Sequence, residues 1–251
     1  MKSSFQVRMI LAFFLIGCGR EEPMRNTTTN PPGVITLQPI TVIDLSANIP
    51  EPSGIFFNAK NNSLMVVSDA RPEIFEIDFS GNVLKTILTS GSDLEGITLN
   101  KTCDTIYVVE ETRQLVTSYL TNGTKISSFP VNVATNPKNA LEGITLDKNG
   151  NLFVLNEKTP RLIIEYNKTT EVSRKEITNA TDISDICYDE TSDCFWIVSD
   201  ESQKVIKTAR DGSVLSEWLI PFTKGEGITF VNDKMYIVND ADAKMYIFQK
   251  P

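Results

Sequence analysis

Leu94-Glu95-Gly96-Ile97 and Leu141-Glu142-Gly143-Ile144 are the same four residues met twice, and three looser copies flank them. Pro52-Ser53-Gly54-Ile55, Ile183-Ser184-Asp185-Ile186 and Gly225-Glu226-Gly227-Ile228 keep the order of a polar residue, a Gly or its equivalent, and Ile. From Ser53 the successive intervals are 42, 47, 42 and 42 residues. A period of about 40 residues with strand-like content marks a β-propeller, one repeat per blade. Closure of the ring carries the same position of every repeat to one central channel. Ser53, Glu95, Glu142, Ser184 and Glu226 are therefore expected to meet in space.

The interior of each repeat supports this. In the second, Gly96 to Asn100 alternates apolar and polar residues, and Thr105 to Val109 is β-branched and aromatic. Leu115 to Leu120 and Lys125 to Phe129 follow, separated by the turn Thr121-Asn122-Gly123. That makes four short antiparallel strands per period. The fifth repeat stops after three strands, at Pro251, while an unassigned strand, Ile40 to Leu45, precedes the first. The expectation is an all-β, five-bladed propeller with four antiparallel strands per blade, its last blade closed by the N-terminal strand. That arrangement also hides a sheet edge.

Upstream, Lys2 and Arg8 precede an unbroken apolar run from Met9 to Ile16, too short to span a bilayer as a mature helix. Residues 1–17 read as a signal peptide. Leu15-Ile16-Gly17-Cys18 resembles the lipobox of bacterial lipoproteins, which implies lipidation of Cys18 and a membrane-anchored mature chain. The polar, Pro-containing stretch that follows reads as a flexible tether over residues 18–36, leaving 37–251 for the propeller. Without Lys2 and Arg8 the formal charge moves from −8 to −10, which gives no footprint for nucleic acid. The expected location is the bacterial cell envelope, on its periplasmic or surface face, with the protein monomeric.

The chain contains no histidine. Ser-His-Asp and Cys-His catalysis and His-ligated metals are therefore excluded. Carboxylates, hydroxyls and amides remain, and these are ligands for a hard cation. Cys187 and Cys194 bracket a turn signal, Tyr-Asp-Glu-Thr-Ser-Asp, that would set them face to face as a disulfide or as two reduced thiols.

The Glu-Gly-Ile starts, with the strand ends Val-Val-Ser-Asp69 and Ile-Val-Asn-Asp240, resemble the SdiA-regulated family of bacterial envelope propellers. The resemblance spans Ile40 to Phe248 and supplies a fold and a location, but no substrate. At the start of the first strands, three carboxylates crowded into a channel repel one another unless a cation or protons neutralise them. Calcium takes six to eight oxygen ligands in irregular geometry, so Glu95, Glu142 and Glu226 with Ser53 and Ser184 form a candidate calcium ring. The ring is similar to the axial calcium site of five-bladed calcium-activated nucleotidases. The alternative is that these side chains accept hydrogen bonds from the next blade's amides and lock the ring.

A second set, Asp69, Glu111, Glu157, Asp200 and Asp240, ends the second strands and should share that mouth. Each is followed by a base: Arg71, Arg113, Arg161, Lys204 and Lys244. Acids and bases together form either a cup for an anionic ligand or a set of blade-joining ion pairs. The insertion Val133 to Asn139 could overhang the mouth. Two functions follow: a tethered propeller binding calcium and a small ligand or envelope protein, or a calcium-dependent hydrolase of phosphoesterase or nucleotidase type.

Overall fold

Alternating apolar and polar residues, with β-branched and aromatic side chains in the inner strands, fold into twenty short strands among the described residues. The computed structural model describes residues 33–133 and 136–251. β1 (Thr41–Asp44) comes first. Blade 1 is β2 (Pro52–Asn58), β3 (Ser63–Ser68), β4 (Arg71–Ile77) and β5 (Val83–Leu88). Blade 2 is β6 (Leu94–Leu99), β7 (Thr105–Glu110), β8 (Leu115–Leu120) and β9 (Lys125–Pro130). Blade 3 is β10 (Leu141–Leu146), β11 (Leu152–Asn156), β12 (Leu162–Asn167) and β13 (Thr170–Glu176). Blade 4 is β14 (Asp185–Asp189), β15 (Cys194–Ser199), β16 (Lys204–Thr208) and β17 (Val214–Leu219). β18 (Gly225–Val231), β19 (Lys234–Asn239) and β20 (Lys244–Gln249) make up most of blade 5.

Each blade is an antiparallel four-stranded sheet in chain order, except the last, whose order is β1-β20-β19-β18. β1 pairs with β20 in the register Thr41↔Ile247 to Asp44↔Lys244. The ring is thus closed by joining both ends of the propeller in one blade, as the sequence predicts. A closed ring of stacked blades leaves no inner sheet edge for another chain to pair with.

Burial follows distance from the axis. Second strands are buried throughout, as in β3 and β15, whereas outer strands such as β13 are almost wholly exposed. The core is five separate apolar clusters, each wedged between neighbouring blades. The one between blades 5 and 1 joins Leu64, Val66 and Phe75 to Tyr236, Val238 and Met245. Removal of that apolar surface from water holds the two chain ends together.

Three expectations are amended or fall outside the structure. Residues 35 and 36, assigned to the tether, run with Leu37 along β17: Leu37 N donates to Leu219 O and Leu219 N to Ile35 O, with Thr36 bridged to Leu219. Leu37 also packs into the cluster between blades 4 and 5, so the ordered chain starts before residue 37. The disulfide does not form, and Cys187 and Cys194 are free, buried thiols. Cys187 stands opposite Trp196 and Cys194 opposite Asp189. The turn is two residues longer than a Glu190-Thr191 tip would give, which sets the cysteines diagonally instead of face to face. The signal peptide, the lipobox and Cys18 lie outside the described residues.

Candidate functional site

The repeated Glu-Gly-Ile builds one mouth of the channel through a local defect in the ladder. In blades 1, 2, 3 and 5 the register slips at this point, between Pro52 and Gly54, Leu94 and Ile97, Leu141 and Ile144, and Gly225 and Gly227. Each slip is a β-bulge, and the extra residue turns its side chain out of the normal alternation. Ser53, Glu95, Glu142 and Glu226 sit at these bulges. The glycine that follows is required by the approach of the next blade. A Cβ on Gly54 would lie 2.3 Å from Glu95 O, and one on Gly96 would lie 2.4 Å from Glu142 O.

Nine of the ten acidic and hydroxyl residues expected at this mouth line a single cavity of about 240 Å³. These are Ser53, Glu95, Glu142 and Glu226 from the first strands, and Asp69, Glu111, Glu157, Asp200 and Asp240 from the ends of the second. Antiparallel pairing brings the two sets together: Leu94 pairs with Glu110 and Leu141 with Asn156, so Glu111 and Glu157 follow directly at the rim. Ser184 alone is absent from the lining. It is buried, and its hydroxyl donates to Asp182 Oδ2 at 3.5 Å. Ser53 is committed as well, because its hydroxyl donates to Leu94 O at 2.5 Å and ties blade 1 to blade 2.

The bases are elsewhere. Arg71 pairs with Glu73 at 3.9 Å, Arg113 with Glu110 at 2.7 Å, Lys204 with Glu217 at 3.0 Å and Lys244 with Asp242 at 3.1 Å. Arg161 donates to the carbonyls of Ile177 and Thr181. Each base opens or precedes the third strand, one hairpin further from the axis, so its side chain serves the outer blade and not a ligand cup. The cations that do reach the mouth are Lys138, Lys158 and Lys224, which the repeat did not announce. Lys158 bridges Glu157 and Glu201 at 2.7 and 2.9 Å, and Lys224 bridges Asp200 and Glu226 at 2.9 and 3.6 Å.

This neutralises only one side. Among the described residues no ion pair reaches Asp69, Asp93, Glu95, Glu111, Glu142 or Asp240. The titration of Asp69, Glu95, Glu111 and Glu142 reflects that crowding. Burial, then the charges of Asp240 and Glu51, push Asp69 up to about 6. Burial pushes Glu111 up to about 7. Burial raises Glu95 and Glu142 well above the carboxylate range, reinforced by neighbouring carboxylates, Asp69 first at Glu95 and Glu95 first at Glu142. Glu226 reaches about 7 through burial and Asp200, even with Lys224 opposing.

Carboxylate oxygens of Asp93, Glu95 and Glu111 lie within 4.8 Å of one another, and so do those of Glu111, Glu142 and Glu157. The axial set is thereby divided: Glu95 and Glu142 join different clusters that share Glu111, and Glu226 enters neither. Asp93 was not foreseen from the sequence. Its signal was its place two residues before Glu95, where blade 4 has Asp182. The insertion contributes at the same rim: Asn139 Nδ2 donates to Glu157 at 3.0 Å and Ala140 N to Glu111 at 3.2 Å.

The blade-locking role proposed for the glutamates falls instead to Asp185, which stands where other blades have glycine. It is 1 % exposed, and its Oδ2 accepts from Ile228 N of blade 5 at 2.9 Å. Its Oδ1 lies buried without a protein partner. Burial raises this carboxyl well above its ordinary range, opposed by the backbone amides that bond it, Ile228 N first.

Several solved structures share this architecture. Glutaminyl cyclase from Myxococcus xanthus superposes with a TM-score of 0.66 at 12% identity, over 85% of this chain and 96% of its own. A gluconolactonase from Xanthomonas campestris gives 0.57 at 10% identity, over 84% and 89%. Virginiamycin B lyase from Staphylococcus aureus gives 0.52 at 15% identity, over 83% and 73%. At such identities the likeness concerns the fold alone. No curated protein matches the chain. The SdiA-regulated family model matches residues 34–217 and 165–250. With five blades, the Glu-Gly-Ile bulges and that match over the whole propeller, the chain belongs to the SdiA-regulated family.

Proposed function

We propose that this is a lipid-anchored envelope propeller that binds a divalent cation, calcium by preference, at its acidic mouth. The observation that carries the reading is Glu111. It belongs to two carboxylate clusters, each within 4.8 Å, and among the described residues no lysine pairs with Glu111, Glu95, Glu142 or Asp93, while Lys158 holds Glu157 at the edge of the second. Carboxyls held above their normal range by burial and mutual repulsion are stabilised when a cation replaces their protons. Calcium accepts many carboxylate oxygens at irregular angles, whereas magnesium demands a compact octahedron and retains its water. The lipobox-like Leu15-Ile16-Gly17-Cys18 supports anchoring, and the described residues contain no helix long and apolar enough to cross a membrane.

The histidine-dependent chemistry of the lyase does not transfer here. A virginiamycin B lyase with one histidine replaced by alanine is catalytically inactive, and this chain has no histidine. A metal-assisted hydrolase remains a second reading because of Asp69. This carboxyl, raised to about 6 and with Oδ1 unpartnered by protein, is placed to take a proton from water at the mouth.

Calcium titration of the full chain, read by Tm and by calorimetry, tests the first reading. Calcium at about a hundredfold excess over Kd should add about 2.7 kcal/mol of stability. Glu111→Gln should abolish most of that gain. A Tm indifferent to calcium in the unaltered protein would remove the cation site. Calcium-dependent turnover of a simple phosphate ester, lost in Asp69→Asn, would select the hydrolase reading.

A further inference from the structure

The other end of the channel holds a larger cavity, of about 400 Å³, that the cation reading does not use. It is formed where the first strands end and the loops to the second strands begin. Its floor is aromatic and aliphatic: Phe56, Phe57, Leu146, Tyr188 and Phe230 all face it. Phe56 breaks the pattern of the repeat, since the equivalent residues are Thr98, Thr145, Cys187 and Thr229. Two of these threonines are spent on joining blades, because Tyr188 N donates to Thr145 Oγ1 at 3.1 Å and Phe57 N to Thr229 Oγ1 at 3.2 Å. Phe56 has no such task and puts a half-buried ring at the base of the bowl.

The charges around this bowl are already matched. Its lining holds Lys101, Lys148 and Lys250 against Asp147, Asp189 and Glu190. Lys250 bonds Asp189 at 2.8 Å and lies 4.7 Å from the centre of the Phe230 ring. Asp147 is held by Arg210 at 2.8 Å, Lys101 faces Glu190 at 3.9 Å, and Lys148 faces Asp193 at 3.5 Å. Burial pushes the Cys187 thiol up to about 12, so it too is neutral at this mouth. A charged ligand entering here would lose water and find no free counter-charge, which is costly. A flat apolar ring would cover Phe56, Phe230 and Tyr188 at a gain. Pockets of this size, with an apolar floor and a few polar rim groups, are typical small-molecule sites.

We infer that this second mouth is a binding site for an uncharged small molecule built on an aromatic ring, independent of the cation site. Thr191 and Asn232 at the rim are placed to hydrogen-bond a neutral polar substituent.

The test uses 4-fluorophenol, neutral at pH 7, with the full chain and fluorine NMR line broadening as readout. Binding with a Kd no weaker than about 1 mM is expected. Phe56→Ala removes the ring at the base and should weaken binding about tenfold. Ala59→Trp, at an exposed turn position on the rim, fills the bowl without touching the core and should weaken it at least as much. Glu111→Gln and saturating calcium should leave binding unchanged. Absence of broadening, broadening that survives Ala59→Trp, or displacement of the phenol by calcium would each overturn the assignment.

Discussion

The two mouths of one channel are made from the two ends of the same five strands, yet they differ in almost every physical respect. At the strand starts a bulge turns a polar side chain inward, and the cavity lining carries eight carboxylates against three lysines. At the strand ends the regular alternation resumes, and the lining carries three acids and three bases over an aromatic floor. The difference teaches that a propeller fixes where positions converge, while the ladder defect decides which side chains face the convergence. One mouth stores repulsion among carboxylates, which on the proposed reading a cation relieves. The other has its charges satisfied within the protein.

The comparison can be broken most severely at the bulge. Gly96→Val would drive a side chain into the backbone of blade 3, where even a Cβ comes to 2.4 Å of Glu142 O. A loss of more than about 3 kcal/mol is expected, and a Tm fall of about 6–12 °C or outright failure to fold should be seen by calorimetry. Glycine substitution at the opposite mouth, at Gly150, meets no atom within 4 Å and should cost little beyond its backbone conformation.

The next effect belongs to the opposite mouth. Asp147 is fully buried and tied to Arg210, whose guanidinium also lies 5.0 Å from the centre of the Phe153 ring. Asp147→Ala leaves that cation in a partly buried aromatic setting. A loss of about 2 kcal/mol is expected by chemical denaturation, discounted for the partial exposure of Arg210.

The sharpest contrast is in pH. A carboxyl whose folded pKa is raised gives stability that is complete below its unfolded pKa and lost as pH rises through the folded value. With Asp69 near 6 and Glu111 and Glu226 near 7, the chelated protein should lose Tm between about pH 5 and about pH 8. Calcium should flatten that slope. Glu142→Gln should raise Tm at the alkaline end in chelator while blunting the calcium response. A slope of the opposite sign in chelator would mean that the acidic mouth is not strained. The smallest effect is at the exposed rim of the other mouth, where Lys101→Ala should change stability by less than about 0.5 kcal/mol.

Much of this was legible in the sequence. The interval of 42 residues identifies the blades, and the three-stranded final repeat with its orphan N-terminal strand identifies the closure. The convergence of Glu95, Glu142 and Glu226 with Asp69, Glu111 and Glu157 follows from the same count. The lysines of the mouth were not legible, because Lys138, Lys158 and Lys224 lie in loops of different length that the repeat does not constrain. Arg71, Arg113 and Arg161 recur at the right interval and still turn outward, since a hairpin reverses the chain before they appear. Asp185 was mistaken for a spacer equivalent to glycine. Its carboxyl instead accepts from Ile228 N of blade 5, a bond that a glycine cannot make.

Periodicity is a one-dimensional property, and closure of equal sheets into a ring depends on little else. For this reason the chain alone determined the fold, the number of blades and the set of carboxylates that share a mouth. Which of them a lysine satisfies, which oxygens stand within a few ångströms, and which thiols face each other depend on turn lengths and bulges a residue or two long. Electrostatic and hydrogen-bond energies change steeply over such distances, so only the packed structure could decide them.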